Sequence, residues 1–155
     1  MSTNVQDSGA ARRHNPHMAS IRKERLIDAS PDHVWEALRD WGALHERLAP
    51  GFAVDTQLDG GDRIVTFFNG SVVRELLIDI DDDARRLVWS IVGGPYTHHN
   101  GSAQVFNAGQ GQASFVWIAD LLPKDLAGQT DQMMEHGIDV VKKTLDLKPS
   151  QSRTP

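Results

Sequence analysis

Glu75 lies inside the apolar run VVRELLIDI, residues 72–80. A carboxylate among such neighbours costs roughly several kcal/mol to bury unless a partner meets it. Facing a cavity, it would act as acid, base or ligand anchor. The strand offers two rows: Val73, Glu75 and Leu77 on one, Leu76, Ile78 and Ile80 on the other. Either row can be the inward one. A second polar cluster lies in SIVGGPYTHHN, residues 90–100, where Tyr96, His98, His99 and Asn100 crowd a loop after two glycines and a proline. Adjacent histidines on an extended chain point to opposite faces and do not close on one metal. No His-Glu-x-x-His spacing accompanies them, so no metal site is expected. One of the pair, taken as His98, is expected at a cavity mouth with Tyr96 and Asn100, and the other in solvent. Histidine titrates near neutral pH and suits proton transfer. His136 falls between Met133 and Val140 at the edge of a helical apolar row. It is either a packing residue or a second proton carrier. Glu75 and His136 are therefore the catalytic candidates, with no catalytic assignment fixed.

Other chemistries lack their residues. The chain has no cysteine, hence no disulfide, thiolate ligand or Cys nucleophile. The G-x-S-x-G elbow is absent. The Gly-Gly pairs at 60–61 and 93–94 read as turns, because neither belongs to a phosphate-binding loop. No cofactor is implied. The Asp81-Asp82-Asp83 run reads as a solvated turn.

The elements that position these residues follow from periodicity. Residues 20–29 alternate as a half-exposed first strand. Ser30 and Pro31 suit the cap and first turn of a helix with Val34, Trp35 and Leu38 on one face. A second short helix carries Leu44 and Leu48. Strand patterns follow at 52–58, 63–69, 72–80, 86–92, 102–106 and 113–121, separated by Asp-Gly-Gly, Asn-Gly and Gly-Gly-Pro breaks. Connections this short imply an antiparallel meander. In residues 124–147, Leu126, Thr130, Met134, Ile138, Val141 and Leu145 form one row, and Met133, Gly137, Val140 and Thr144 a second. So wide a stripe marks a long helix lying on a sheet. The expected fold is α+β: a curved antiparallel sheet of about seven strands around the C-terminal helix, with space between for a ligand at Gly137 and Thr144.

Net charge is −5 among 155 residues, which argues against a nucleic-acid partner. No apolar run is long enough to span a membrane. The expectation is a cytoplasmic protein with a leader at 1–19, one ligand-binding domain at 20–147 and a loose tail at 148–155. Met18 is an alternative start behind an added segment.

The order of elements, with IDASPDHVWEALRDWGALHERLAPG at the front and VRELLIDIDDDARRLVWSIVGG in the middle, resembles the START-like (SRPBCC) helix-grip superfamily, in its polyketide cyclase/dehydrase branch. SIVGGPYTHHN is similar to the latch loop of the plant abscisic-acid receptors of that superfamily. Gly93, Gly94 and Asn100 match that loop, whereas Pro95, Tyr96 and Thr97 depart from it. The receptors' gate loop is reduced here to an Asn69-Gly70 turn, and their ligand-binding lysine has no counterpart. The resemblance implies a ligand cavity with its mouth near residues 93–100. It puts Glu75, Trp89 and His136 at pocket-lining positions, with Ile91, Met133 and Val140 beside them. It does not imply hormone sensing. The expected function is binding of a small hydrophobic, aromatic or lipid-like molecule. The alternatives are a cyclase/dehydratase-type enzyme using the same pocket, and a protein-interaction module with a vestigial cavity. No feature of the sequence indicates an oligomeric state.

Overall fold

The computed structural model describes residues 19–147. The expected leader and tail, with Met18, lie outside them, apart from Ala19. That residue opens β1 (Ala19–Ile27). Six further strands follow: β2 (Ala53–Asp59), β3 (Asp62–Phe67), β4 (Val72–Asp81), β5 (Arg86–Val92), β6 (His98–Gly109) and β7 (Gln112–Leu122). They form one antiparallel sheet in the order β1-β7-β6-β5-β4-β3-β2. The meander expected from the short turns runs from β2 to β7, and β1 closes it by pairing with β7.

Two helical regions complete the fold. The first, α1 (Pro31–Arg39), starts where the sequence predicts: the Ser30 hydroxyl accepts the His33 N–H at 3.1 Å, and Pro31 stands at the first helical position. Its apolar face, Val34, Trp35, Ala37 and Leu38, is buried. A 3-10 turn (Trp41–Ala43) and a π-type turn (Leu44–Leu48) follow and bury Trp41, Leu44 and Leu48. The second, α2 (Ala127–Leu145), buries Thr130, Met134, Gly137, Ile138, Val141 and Leu145 against the sheet. This is the expected row with Gly137 added and without Leu126, which is half-buried in the preceding 3-10 turn (Lys124–Leu126). Thr144, expected on the buried side, is exposed.

The inner row of β1 is unusual in carrying Lys23 and Arg25. Lys23 pairs with Asp131 and Glu135 at 2.7 and 3.0 Å, and Arg25 with Glu135 and Asp139 at 2.5 and 2.9 Å. These ions lace the edge strand to α2. At the far end, Asp28 N–H donates to Asp146 Oδ1 at 2.8 Å, and Leu147 N–H to the Asp28 carbonyl at 3.0 Å. Asp82 of the acidic turn is a structural acceptor as well as a solvated residue. It takes the Trp35 indole N–H at 2.9 Å and the Arg39 Nε–H at 2.8 Å, fastening α1 to the β4–β5 turn.

Two backbone irregularities decide which side chains face the helix. In β4 the pairing with β5 slips between Leu77 and Asp79. Before the slip Val73, Glu75 and Leu77 face inward; after it Ile80 packs on the core while Ile78 is 54% exposed. The inward face thus draws from both sequence rows, because a bulge reverses the parity. In β6, pairing begins at His98 opposite Leu122, so residues 98–100 are strand where the sequence suggested loop.

Candidate functional site

Between the concave sheet face and α2 lies a cavity of about 550 Å³. Its walls are largely apolar and aromatic: Phe52, Phe67, Phe115, Trp89 and Trp117 contribute rings. Trp89 lies flat on the backbone of β6. A Cβ at Gly101 would come within 2.6 Å of its ring, so only glycine admits it. Gly137 is comparable on the helix side, where a Cβ would meet the Phe52 ring at 2.9 Å. The space that Gly137 was expected to leave for a ligand is therefore partly filled by Phe52 and Trp117.

The mouth opens between the β3–β4 turn, the β5–β6 loop and the first turns of α2, where Asn69, Ser71, Gly93, Gly94, Pro95, Tyr96, Gln129 and Thr130 line it. Gly93 and Gly94 both have positive φ, which gives the sharp bend of the loop. The loop is fastened at two points. Thr97 N–H donates to the Leu122 carbonyl at 2.9 Å, and the Tyr96 and Thr130 hydroxyls share a hydrogen bond of 2.7 Å.

Glu75 lines the cavity and is 4% exposed. Its partner is Arg63, the residue opposite it in the β3–β4 ladder. The guanidinium donates through Nε at 2.8 Å and sits 2.7 Å away through NH2, both on Oε1. Arg63 also donates to the Trp41 carbonyl at 3.1 Å and stacks over the Trp41 ring at 3.7 Å. The buried carboxylate is thus charge-balanced. Oε2 accepts no hydrogen bond from the described residues.

His99 faces inward, opposite the fully buried Leu121, and lines the cavity; His98 is exposed. The His99 Nδ1 accepts the Ile91 N–H at 3.3 Å, and its ring lies 5.2 Å from that of Tyr96. Burial, with the adjacent His98 charge, pushes its pKa down to about 4. The imidazole is neutral near pH 7.

Of the residues singled out in the sequence, Glu75, Trp89, Ile91, Tyr96 and Met133 are among the lining. His98, Asn100, His136 and Val140 are not. Asn100 falls on the opposite face of β6 from His99, and Val140 packs into the core beside the cavity. His136 is exposed and stacks on Phe68, at 4.7 Å and 6°, and on Phe52, at 5.4 Å. It clamps the β3–β4 turn onto α2 from outside. Sequence reasoning missed Arg63, whose pairing depends on hairpin register, and Thr130 as a polar group at the mouth. It also took His98 in place of His99. The Trp117 indole N–H is buried and meets no hydrogen-bond partner among the described residues. Among the described residues no three His, Asp or Glu side chains gather as a metal site, and no helix is long and apolar enough to cross a membrane.

A seven-stranded sheet curled around one long helix, with a cavity held between them, defines a helix-grip protein. The chain belongs to the polyketide cyclase/dehydrase and lipid transport family, whose model matches residues 18–146. Similar solved structures agree in fold. An uncharacterised protein of Bacillus thuringiensis superposes with a TM-score of 0.75 at 17% identity, covering 82% of this chain and 98% of that one. Norcoclaurine synthase of Thalictrum flavum gives 0.64 at 18% identity, covering 81% and 85%. The di-domain ARO/CYC BexL of the BE-7585A biosynthetic pathway gives 0.70 at 15% identity, covering 81% of this chain and 46% of that one. No curated protein matches the chain by sequence.

Proposed function

We propose that the protein binds a small hydrophobic or aromatic molecule in the cavity between the sheet and α2. The observation that carries this reading is the cavity itself: about 550 Å³ of space walled by the rings of Phe52, Phe67, Trp89, Tyr96, Phe115 and Trp117, with fewer polar groups. That volume suits a ligand of two to four fused rings or a folded chain. Removal of ligand and wall surface from water supplies the affinity, at roughly 25 cal/mol per Å². The few polar groups set orientation. The family description is consistent with this. So is the structure of norcoclaurine synthase, which was determined in complex with dopamine and hydroxybenzaldehyde.

A second reading, a cyclase/dehydratase-type enzyme, uses the same space, with Glu75 and a cavity histidine moving protons. It is supported by the family description and the likeness to BexL. The Arg63 ion pair favours the binding reading, since it holds the carboxylate in a fixed, neutralised pair. An open cavity of this size argues against the third alternative, a vestigial one.

The test is uptake of a neutral aromatic dye such as aminoanthracene, followed by its fluorescence, together with native mass spectrometry of the purified protein. Wild type is expected to take up the dye, and Ile91→Trp, which fills the cavity, to lose most of the uptake. A folded wild type that carries no ligand and takes up no dye defeats the reading. Turnover of a polyketone by wild type, lost in Glu75→Gln while dye binding persists, would favour the enzyme.

A further inference from the structure

His99 differs from the other polar groups of the cavity because its two nitrogens have separate assignments. Nδ1 accepts the Ile91 N–H. An accepting nitrogen carries no proton, so the proton of the neutral ring sits on Nε2. The Tyr96 ring lies 5.2 Å from that of His99, and its hydroxyl is bonded to Thr130. Among the described residues no acceptor meets the His99 Nε2–H. It is a donor held in place on a rigid strand, at 5% exposure, in the wall of a cavity.

The cations around it are all paired. The cations of the described lining are Arg63 and Arg74. Arg63 is neutralised by Glu75, and Arg74 by Asp59 and Asp62, at 2.5 and 2.6 Å. An entering anion would lose its hydration and find no unpaired cation, because Arg63 is held by Glu75 of the lining and Arg74 by two carboxylates outside it. A neutral oxygen would lose less and gain a hydrogen bond that is otherwise unmade. The flat ring of Trp89 on the Gly101 backbone suits an aromatic body on the same ligand.

We propose that His99 is the specificity-determining donor of this cavity: its Nε2–H bonds a neutral carbonyl oxygen on an aromatic ligand, and the charge-balanced lining refuses the corresponding carboxylate. This rests on the reading of the cavity as a ligand site.

Three probes of similar size separate the contributions: acetylnaphthalene, isopropylnaphthalene and naphthoate, each competed against aminoanthracene near neutral pH. Wild type is expected to bind the ketone about tenfold tighter than the hydrocarbon, the worth of one hydrogen bond to a buried donor. Naphthoate is expected to bind at least about tenfold more weakly than the ketone. In His99→Phe the ketone-to-hydrocarbon ratio should fall towards one. His99→Gln, whose amide keeps a donor, should recover part of it. Ring-nitrogen NMR of histidine-labelled wild type needs no variant to fold. The Nε2 resonance of His99 should move on adding the ketone and stay in place with the hydrocarbon. An unchanged ratio in His99→Phe, an unmoved Nε2 signal, or naphthoate binding as tight as the ketone overturns the proposal. Hydrocarbon binding without a ketone preference would defeat this proposal and leave the cavity reading standing. Failure of all three probes to bind would defeat both.

Discussion

Arg63 and Glu75 are among the few charged side chains buried in this protein, and each makes the other tolerable. Either charge alone would be costly in a wall of Phe, Trp and Leu. Removing one partner leaves an uncompensated buried charge, whereas replacing both with apolar residues removes the problem along with the pair. Arg63→Met should therefore destabilise the fold by about 3–5 kcal/mol, and Arg63→Met/Glu75→Leu should lie within about 1–2 kcal/mol of wild type. Urea unfolding followed by tryptophan fluorescence measures both. A single variant that costs no more than the double would contradict this account of the pair. Glu75 could be singled out from its sequence neighbours because a carboxylate in an apolar run needs an explanation. Its partner could not, because pairing across β3 and β4 depends on a register that the turn alone does not declare. His99 was within reach. Gly101, Ala103 and Val105 form the smaller, more apolar row of β6, and extending that row backward two residues selects His99 over His98. The Gly-Gly-Pro stretch before it reads as loop, and that broke the extrapolation.

The strands and helices follow local pattern closely, and the departures lie where tertiary pairing overrode it. Period-two alternation and turn residues are enough to place β2 to β5 and β7, and the stripe on residues 126–145 is enough to place α2. The bulge in β4 has no local signature, since Ile78 is as good a core residue as Leu77 and only the β5 pairing exposes it. The early start of β6 depends likewise on Leu121 and Leu122 opposite it. The packing of α2 on the sheet is the element-level feature that holds the cavity to its size, and its two glycines test it with opposite signs. Gly128 has open space around a prospective Cβ, while at Gly137 a Cβ would come within 2.9 Å of Phe52 and 3.0 Å of Trp117. Gly128→Ala should stabilise by up to about 1 kcal/mol through helix propensity alone. At Gly137 the same gain is outweighed by overpacking, which typically costs about 1–3 kcal/mol, so Gly137→Ala should destabilise and reduce dye uptake. Thermal unfolding of the two variants decides it; stabilisation of both would mean that α2 is free to move off the sheet.

At the scale of the whole molecule, the sheet closes over its own polar groups, and this should give stability a specific dependence on pH. His99 is buried at the start of β6, and burial is the main cause of its lowered pKa. The charge of His98 adds to that lowering, and Asp120 works against it. In the unfolded chain the same imidazole has its ordinary value near 6.5. Between that value and about 4, the unfolded state binds a proton that the folded state refuses, so stability falls as pH drops through this window. Above the window both states are neutral, and below it both are protonated, so the contribution is flat on either side. From about pH 7.5 to about pH 5 the loss attributable to His99 should be about 2 kcal/mol. In His99→Gln, which has no titrating ring but retains an acceptor for the Ile91 N–H, that part of the slope should vanish. Exposed His98 and the surface carboxylates remain in both proteins and cancel in the comparison. Denaturant unfolding across this range, run in parallel on the two proteins, should show the curves converging as pH falls. Parallel curves would mean that His99 is already solvated in the folded protein, and the neutral, enclosed lining argued for the cavity would fall with it.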